Sequence, residues 1–327
     1  MTALRPYGCR EDATTPLGPL APDLTRATTF AYPTAEELRA VGAGELSGEF
    51  YPRYGHPAGR LFEQKVAELE GADGAVSFGS GMAALHAIFC GLLQKGDVVA
   101  VSRYVYGGAE GLVAEDLPRF GIEVRRFDPF DESSLEQAVE GSVRLIHVET
   151  PTNPLCRVVD LKRIAAAARR CGAWLSVDAT FLPPPFQRPV THDADVVMHS
   201  ATKILGGRRM RDNGGRVTRV HYPGLPRHPD HHIARQYMET FGFMLAFEVA
   251  GGLPEAVEVY NRLRDIARAV SLGGVETLAS IPLHTSHATM STDERQRVGI
   301  ADGLIRLSFG IEPYELLEAD LAAALSA

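Results

Sequence analysis

Four apolar, β-branched runs, DVVAVS, VRLIHVET, AWLSVDAT and ADVVMHS, recur between residues 97 and 200, and helix-like stretches such as LKRIAAAARRCG separate them. Strands that are apolar throughout are buried on both faces, and their alternation with helices implies a mostly parallel sheet covered by helices on both sides. In such sheets ligands gather at the carboxyl ends of the strands. The polar residues that close these runs are therefore the first candidates for a site. The pattern extends toward the N-terminus: GRLFEQKVAELEGA reads as an amphipathic helix closed by glycine, DGAVSF as a short strand, and SGMAALHAIFCGLLQ as an apolar helix closed by KGD.

The flanks read differently. Residues 1–50 are rich in Pro, Thr and Ala, with one short helical pattern, PTAEELRAV, and suggest an N-terminal arm that rests on another surface. After residue 215 the runs FGFMLAFEVAGG and GLIRLSFGIE, with a helical periodicity in PEAVEVYNRLRDIARAV, suggest a smaller C-terminal α+β domain. The expected organisation is an arm over 1–50, a ligand-binding α/β domain over 51–207 and a C-terminal domain over 208–327.

A net charge of -8 argues against nucleic acid or an anionic membrane as the main partner, and GGRRMR is too short a basic run to change that. MTALRPYGCREDATTP has no apolar signal core, and AVSFGSGMAALHAIFCGLL is broken by Ser, Gly and His, so a cytoplasmic protein is expected. Cys9, Cys90, Cys156 and Cys171 lack CxxC spacing and read as reduced, mostly buried thiols. His221, His228, His231 and His232 in HYPGLPRHPDHH invite a metal reading, but prolines break the spacing a site needs; a solvated loop without metal is expected.

Asp178 ends the run AWLSVDAT, where a buried carboxylate is costly without a cation and hydrogen bonds. Lys203 follows the run ADVVMHS. The two could form a buried ion pair of little net value. Alternatively a ligand lies between them, with a cationic ring nitrogen on Asp178 and a carbonyl joined to Lys203 as a Schiff base. FGSGMAAL is a glycine-rich turn running into a helix, and the N–H groups after Ser80 and Gly81 form an anion site. Glycine before a helix is also a common tight turn. Ser200 and Thr202 place hydroxyls where they could donate to the same anion. Pyridoxal phosphate carries a phosphate, an aldehyde and a basic ring nitrogen together. No GxxxxGK[ST] occurs, and GSGMA lacks the third glycine and downstream acid of a dinucleotide fingerprint.

These residues resemble the Cys/Met-metabolism group of pyridoxal-phosphate enzymes, which includes cystathionine and methionine γ-lyases, β-lyases, γ-synthases and sulfhydrylases. The resemblance rests on YPRYGHPAGRLFEQKVAELEGA, SFGSGMAAL, YVYGGAEG, VETPTNPL, VDATF, HSATKILGG, HYPGLPRHP, SLGGVETL and GLIRLSFGIE, in family order along almost the whole chain. It implies the fold-type-I PLP-dependent transferase architecture and a homotetramer built from dimers that share active sites. Lys203 is then the cofactor lysine and base, and Asp178 the partner of the ring nitrogen. Asn153 contacts the ring hydroxyl, although an Asn-Pro turn accounts for it equally. Tyr106 stacks on the ring and acts on the leaving group, unless it is a strand-end core residue. Ser80, Gly81, Met82, Ser200 and Thr202 bind the phosphate, with Tyr51 and Arg53 reaching it from a neighbouring subunit. Arg306, a lone charge in GLIRLSFGI, clamps the substrate α-carboxylate, because arginine offers a carboxylate two parallel donors.

The branch of the family is less marked. Val270, before substrate-contacting Ser271, resembles methionine γ-lyases, whereas Gly108 stands where many bacterial methionine γ-lyases carry cysteine. The expectation is α,γ-elimination on methionine, cystathionine or a homoserine derivative, with γ-replacement second and a non-catalytic relative third. After SATKILGG the family's next turn, strand and helices have no counterpart here, and a smaller gap follows Gly215; residues 207/208 and 215/216 are expected not to be peptide-bonded neighbours.

Overall fold

The structure, a computed structural model, describes residues 27–201 and 216–326. Thr202, Lys203 and both suspect junctions, 207/208 and 215/216, lie outside the described residues. The chain divides into two compact units, residues 1–77 and 78–327. In the first, PTAEELRAV forms α1 (Ala35–Gly42), whose Thr34 side chain accepts the Glu37 N–H, and the amphipathic pattern forms α2 (Pro57–Glu70). Gly71 stops α2 at φ 77°, a left-handed turn that glycine makes without Cβ strain.

The second unit opens with α3 (Gly81–Leu92), then β1 (Val98–Ser102), β2 (Glu123–Phe127), β3 (Leu145–Glu149), β4 (Trp174–Asp178) and β5 (Val196–Met198). Between these strands run α4 (Gly107–Gly111), continued through a π turn at Leu112–Asp116 into α5 (Leu117–Arg119), then α6 (Glu132–Ala138) and α7 (Leu161–Cys171). The five strands make one parallel sheet in the order β2-β1-β3-β4-β5. β3 is buried along its whole length, and Ile146, Val148, Leu175 and Val177 pack against Leu161, Ile164, Ala165 and Ala168 of α7. Each such Leu or Ile contributes about 1.5–3 kcal/mol.

Several expectations fail here. DGAVSF forms no strand, and Val76 is 74% exposed. β5 is only three residues long and pairs, among the described residues, with β4 alone. HYPGLPRHPDHH is not a solvated loop, since His221 and His228 are buried. His221 Nε2 lies 2.7 Å from Glu248 Oε1, His228 Nδ1 accepts the Asp230 N–H at 3.2 Å, and His231 Nδ1 lies 2.8 Å from the Pro223 carbonyl. The cysteines are not mostly buried as expected: among the described residues Cys156 is buried, Cys171 half-buried and Cys90 exposed, while Cys9 lies outside them.

The remainder carries β6 (Val217–His221), β7 (Met244–Val249), β8 (Ala267–Arg268), β9 (Leu278–Ser280) and β10 (Leu304–Ser308), in the order β6-β7-β10-β9-β8. The sheet is antiparallel except for the β8–β9 pair. With it come α8 (His231–Tyr237), α9 (Leu253–Arg262), α10 (Thr292–Val298) and α11 (Tyr314–Leu325). The helix expected over PEAVEVYNRLRDIARAV stops at Arg262. The Asp320 carboxylate collects the N–H groups of Arg264, Asp265 and Ile266, which takes them out of any helical ladder and turns the chain into β8. Among the described residues no helix is long and apolar enough to cross a membrane.

Candidate active site

The carboxyl ends of β3, β4 and β5 bring Glu149, Asp178 and Ser200 together. Thr180 joins the last two: its N–H donates to Asp178 Oδ1 at 2.9 Å, and its hydroxyl oxygen accepts the Ser200 N–H at 2.9 Å. Beside them begins α3. Ser80 caps it by accepting the Ala83 N–H at 3.1 Å, which leaves the N–H groups of Gly81 and Met82 to face outward. A Cβ at Gly81 would meet the Met198 methyl at 3.0 Å and the Ser200 hydroxyl at 3.1 Å, so the helix N-terminus sits directly against Ser200. The helix N-terminus and the serine hydroxyl face one anion position.

β10 supplies Arg306, only 5% exposed. Its Nη1 donates to Asn153 Oδ1 and its Nη2 to the Ser271 carbonyl, both at 2.9 Å, while Nε has no partner. Burial lowers its pKa to about 10, which leaves it charged at neutral pH. Ser271 has φ 93°, a strained left-handed conformation that turns its carbonyl toward the guanidinium. Two fixed contacts lock the plane of the guanidinium and leave its other donors for a ligand carboxylate.

Tyr106 precedes α4 and is 41% exposed. A Cβ at Gly108 would come within 2.5 Å of the tyrosine ring and 3.1 Å of Met82 Sδ. Met82 and Gly108 also line a cleft of ≈ 520 Å³ with Ala83, His86, Gly111, Leu112, Glu115 and Asp116. Tyr106 thus borders an open cleft through Gly108 and Met82.

Sequence reasoning passed over two buried groups. Glu149 closes an apolar run as Asp178 does, and the same argument could have found it. His287 hydrogen-bonds the Ser286 hydroxyl through Nδ1 at 2.8 Å and the Asn153 backbone, with its pKa lowered to about 4 by burial and then by Arg306. Nothing in SHATM marks it. The structure brings Ser80, Gly81, Met82, Tyr106, Asn153, Asp178, Ser200, Ser271 and Arg306 into one unit. Tyr51 and Arg53 belong to the other, where the Arg53 guanidinium lies 5.4 Å from the centre of the Tyr51 ring.

Pyridoxal phosphate fits these residues. Gly81 leaves a cradle that a Cβ would fill, at a helix N-terminus with Ser200 alongside, and Asp178 pairs in register with Met198, whose methyl borders that cradle; its carboxylate is of the kind a cationic ring nitrogen requires.

Comparison with known proteins agrees. The family model described as "Cys/Met metabolism PLP-dependent enzyme" matches residues 8–214 and 210–326. The chain is 33% identical over 371 residues to an L-methionine γ-lyase of Pseudomonas putida, covering 95% of this chain and 93% of the relative. It is 34% identical over 373 residues to an O-succinylhomoserine sulfhydrylase of Pseudomonas aeruginosa, covering 96% and 92%. The crystal structure of cystathionine γ-synthase from Xanthomonas oryzae pv. oryzae in complex with cystathionine superposes with a TM-score of 0.87 at 31% identity, covering 95% and 94%. The first of these alignments spans more positions than this chain has residues, 371 − 327 = 44, so at least that many residues of the relative have no counterpart here.

Proposed function

From the premise that the chain belongs to the Cys/Met-metabolism family of pyridoxal-phosphate-dependent enzymes, we propose that it breaks the Cγ–S bond of a sulfur amino acid, consuming one water and releasing a thiol, 2-oxobutanoate and ammonia. The cofactor, when bound, supplies an electron sink for the negative charge that develops on the substrate carbons. Arg306 receives the substrate α-carboxylate, oriented by Asn153 and Ser271. Asp178 holds the ring nitrogen protonated, and Lys203 carries the cofactor and then moves protons between substrate carbons. Tyr106 delivers a proton to the departing sulfur. Ser80, Gly81, Met82, Ser200 and Thr202 take the phosphate, and Asn153, whose Oδ1 is occupied by Arg306, keeps its amide N–H groups for the ring hydroxyl. Tyr51 and Arg53 complete the phosphate site of a neighbouring subunit in a cytoplasmic homotetramer braced by the N-terminal arm.

The observation that carries this reading is the buried Arg306, oriented by two fixed partners beside Asn153 and Tyr106, which is a site for an amino-acid carboxylate. Elimination is favoured over γ-replacement by the cleft beyond Tyr106, which, among the described residues, presents Glu115 and Asp116 and no Lys or Arg. The uncharged methyl thioether of methionine suits it; the free carboxylate of a succinyl leaving group does not. γ-Replacement is the second reading, supported by the sulfhydrylase and γ-synthase among similar proteins. The deciding experiment incubates the cofactor-loaded protein with L-methionine, L-cystathionine and O-acylhomoserines, with and without a thiol, and measures 2-oxobutanoate and ammonia. Release of 2-oxobutanoate from the thioethers is expected. Product from acylhomoserines alone, with new thioethers when thiol is added, assigns replacement instead.

A further inference from the structure

The roles above leave Glu149 unused, although it is 3% exposed at the centre of the constellation. It ends β3 in register with Asp178 on β4, so two acidic residues sit side by side on adjacent strands. Its Oε1 accepts the Asn153 N–H at 2.8 Å, and the Tyr106 backbone N–H is turned toward the carboxyl group. Oε2 is buried without a hydrogen-bond partner. One side chain therefore meets the backbone of two loops, at Tyr106 after β1 and at Asn153 after β3. The hold passes on through the Asn153 side chain to Arg306.

We propose that Glu149 is a positioning residue that works as a neutral, protonated carboxyl group. It pins Tyr106, Asn153 and, through Asn153, Arg306, without placing a second negative charge beside Asp178. This rests on the function proposed above. Two neighbouring buried carboxylates cannot both ionise cheaply. Among the described residues, the charged and titratable groups facing Glu149 are Asp178 on β4, Arg306 on β10, Tyr106 before α4 and Cys156 after β3. Burial, then Asp178, raises the Glu149 pKa well above the ordinary carboxyl value; the two N–H bonds and Arg306 oppose this without reversing it. Cys156, pushed up to about 12 by burial, adds no charge of its own. Oε2, free of other bonds, is the oxygen that carries the proton, and Oε1 remains the acceptor of the Asn153 N–H.

The test compares Glu149→Gln, which copies the neutral group, with Glu149→Leu, which keeps the apolar bulk but offers no acceptor. The first readout is the infrared carbonyl stretch of a protonated carboxyl group in cofactor-free protein at pH 7.5. It should appear in wild type minus Glu149→Gln, and it needs neither substrate nor turnover. If that band is missing, Glu149 is ionised and the inference falls, whatever reaction the enzyme catalyses. The second readout is kinetic: Glu149→Gln should keep kcat/KM within about threefold and lose the alkaline decline that ionisation of Glu149 imposes. Glu149→Leu should lose a hundredfold or more, in KM for the amino acid as well as kcat. Equal losses in both folded variants, or none in Glu149→Leu, would overturn it; should the leucine variant not fold, the glutamine variant and the infrared difference decide. A wild type inactive on every sulfur amino acid would refute the proposed function while leaving the infrared result intact.

Discussion

At the scale of single residues, Arg306 shows how much of the site depends on orientation rather than charge. A lysine there would keep a positive charge but could not bond Asn153 Oδ1 and the Ser271 carbonyl at once while facing a carboxylate. Arg306→Lys should therefore raise KM for the amino acid by about a hundredfold, roughly 3 kcal/mol, while cofactor affinity by absorbance titration stays unchanged. A small change in KM would mean that the carboxylate binds elsewhere. Arg306 and Asp178 were legible in the sequence because each is a charge inside an apolar run, which burial makes expensive unless chemistry requires it. His287 was not, because its role depends on packing against the Asn153 backbone across 134 residues of chain, 287 − 153. No local pattern encodes such a contact.

At the scale of elements, Asp320 does for α11 what a cap does for a helix end. Its carboxylate satisfies three consecutive N–H groups at 2.8–3.2 Å and ties the last helix to the turn between α9 and β8. Asp320→Ala leaves those donors without their partner and should lower unfolding stability by roughly 3 kcal/mol. Chemical denaturation would show it; a loss under about 0.5 kcal/mol would mean that water replaces the carboxylate. This contact also explains why the helical periodicity overran its true end. The pattern continues through RDIARAV, but a carboxylate about 55 residues downstream claims the N–H groups, with sequence separations of 54 to 56. β2 was missed for the opposite reason. EVRRF is charged because it is an edge strand, with Arg125 and Arg126 bonded to Glu123 and Glu110 at the margin. The central strands were legible because burial on both faces leaves them no other composition.

At the scale of the whole molecule, three histidines set the response to acid. His147, His228 and His287 are each held at about 4, by burial first in every case, against 6.5 for an exposed histidine. Once unfolded, these groups bind protons below about 6.5, and while folded they do not until about 4. Unfolding therefore takes up protons in that window, and stability falls as pH drops through it. Each fully titrated group costs on the order of 3 kcal/mol. Glu149 acts in the opposite sense: its folded form holds a proton more tightly than the unfolded one, so its contribution is present at low pH and fades as pH rises. Melting temperatures of the cofactor-free protein should therefore peak near neutrality and fall steeply between pH 6.5 and 4.5. A flat profile across that interval would show that the histidines are hydrated rather than buried.

The conformation of Ser271 extends this to the history a chain like this one can have. A non-glycine residue at φ 93° forgoes on the order of 1–3 kcal/mol that a relaxed turn would return to the fold. The same turn aims the carbonyl that fixes the guanidinium of Arg306. Selection for heat tolerance and selection for a fixed guanidinium at Arg306 thus pull on one residue in opposite directions. Lineages that drift toward robustness would find an easy gain here and lose the orientation of Arg306 as they take it.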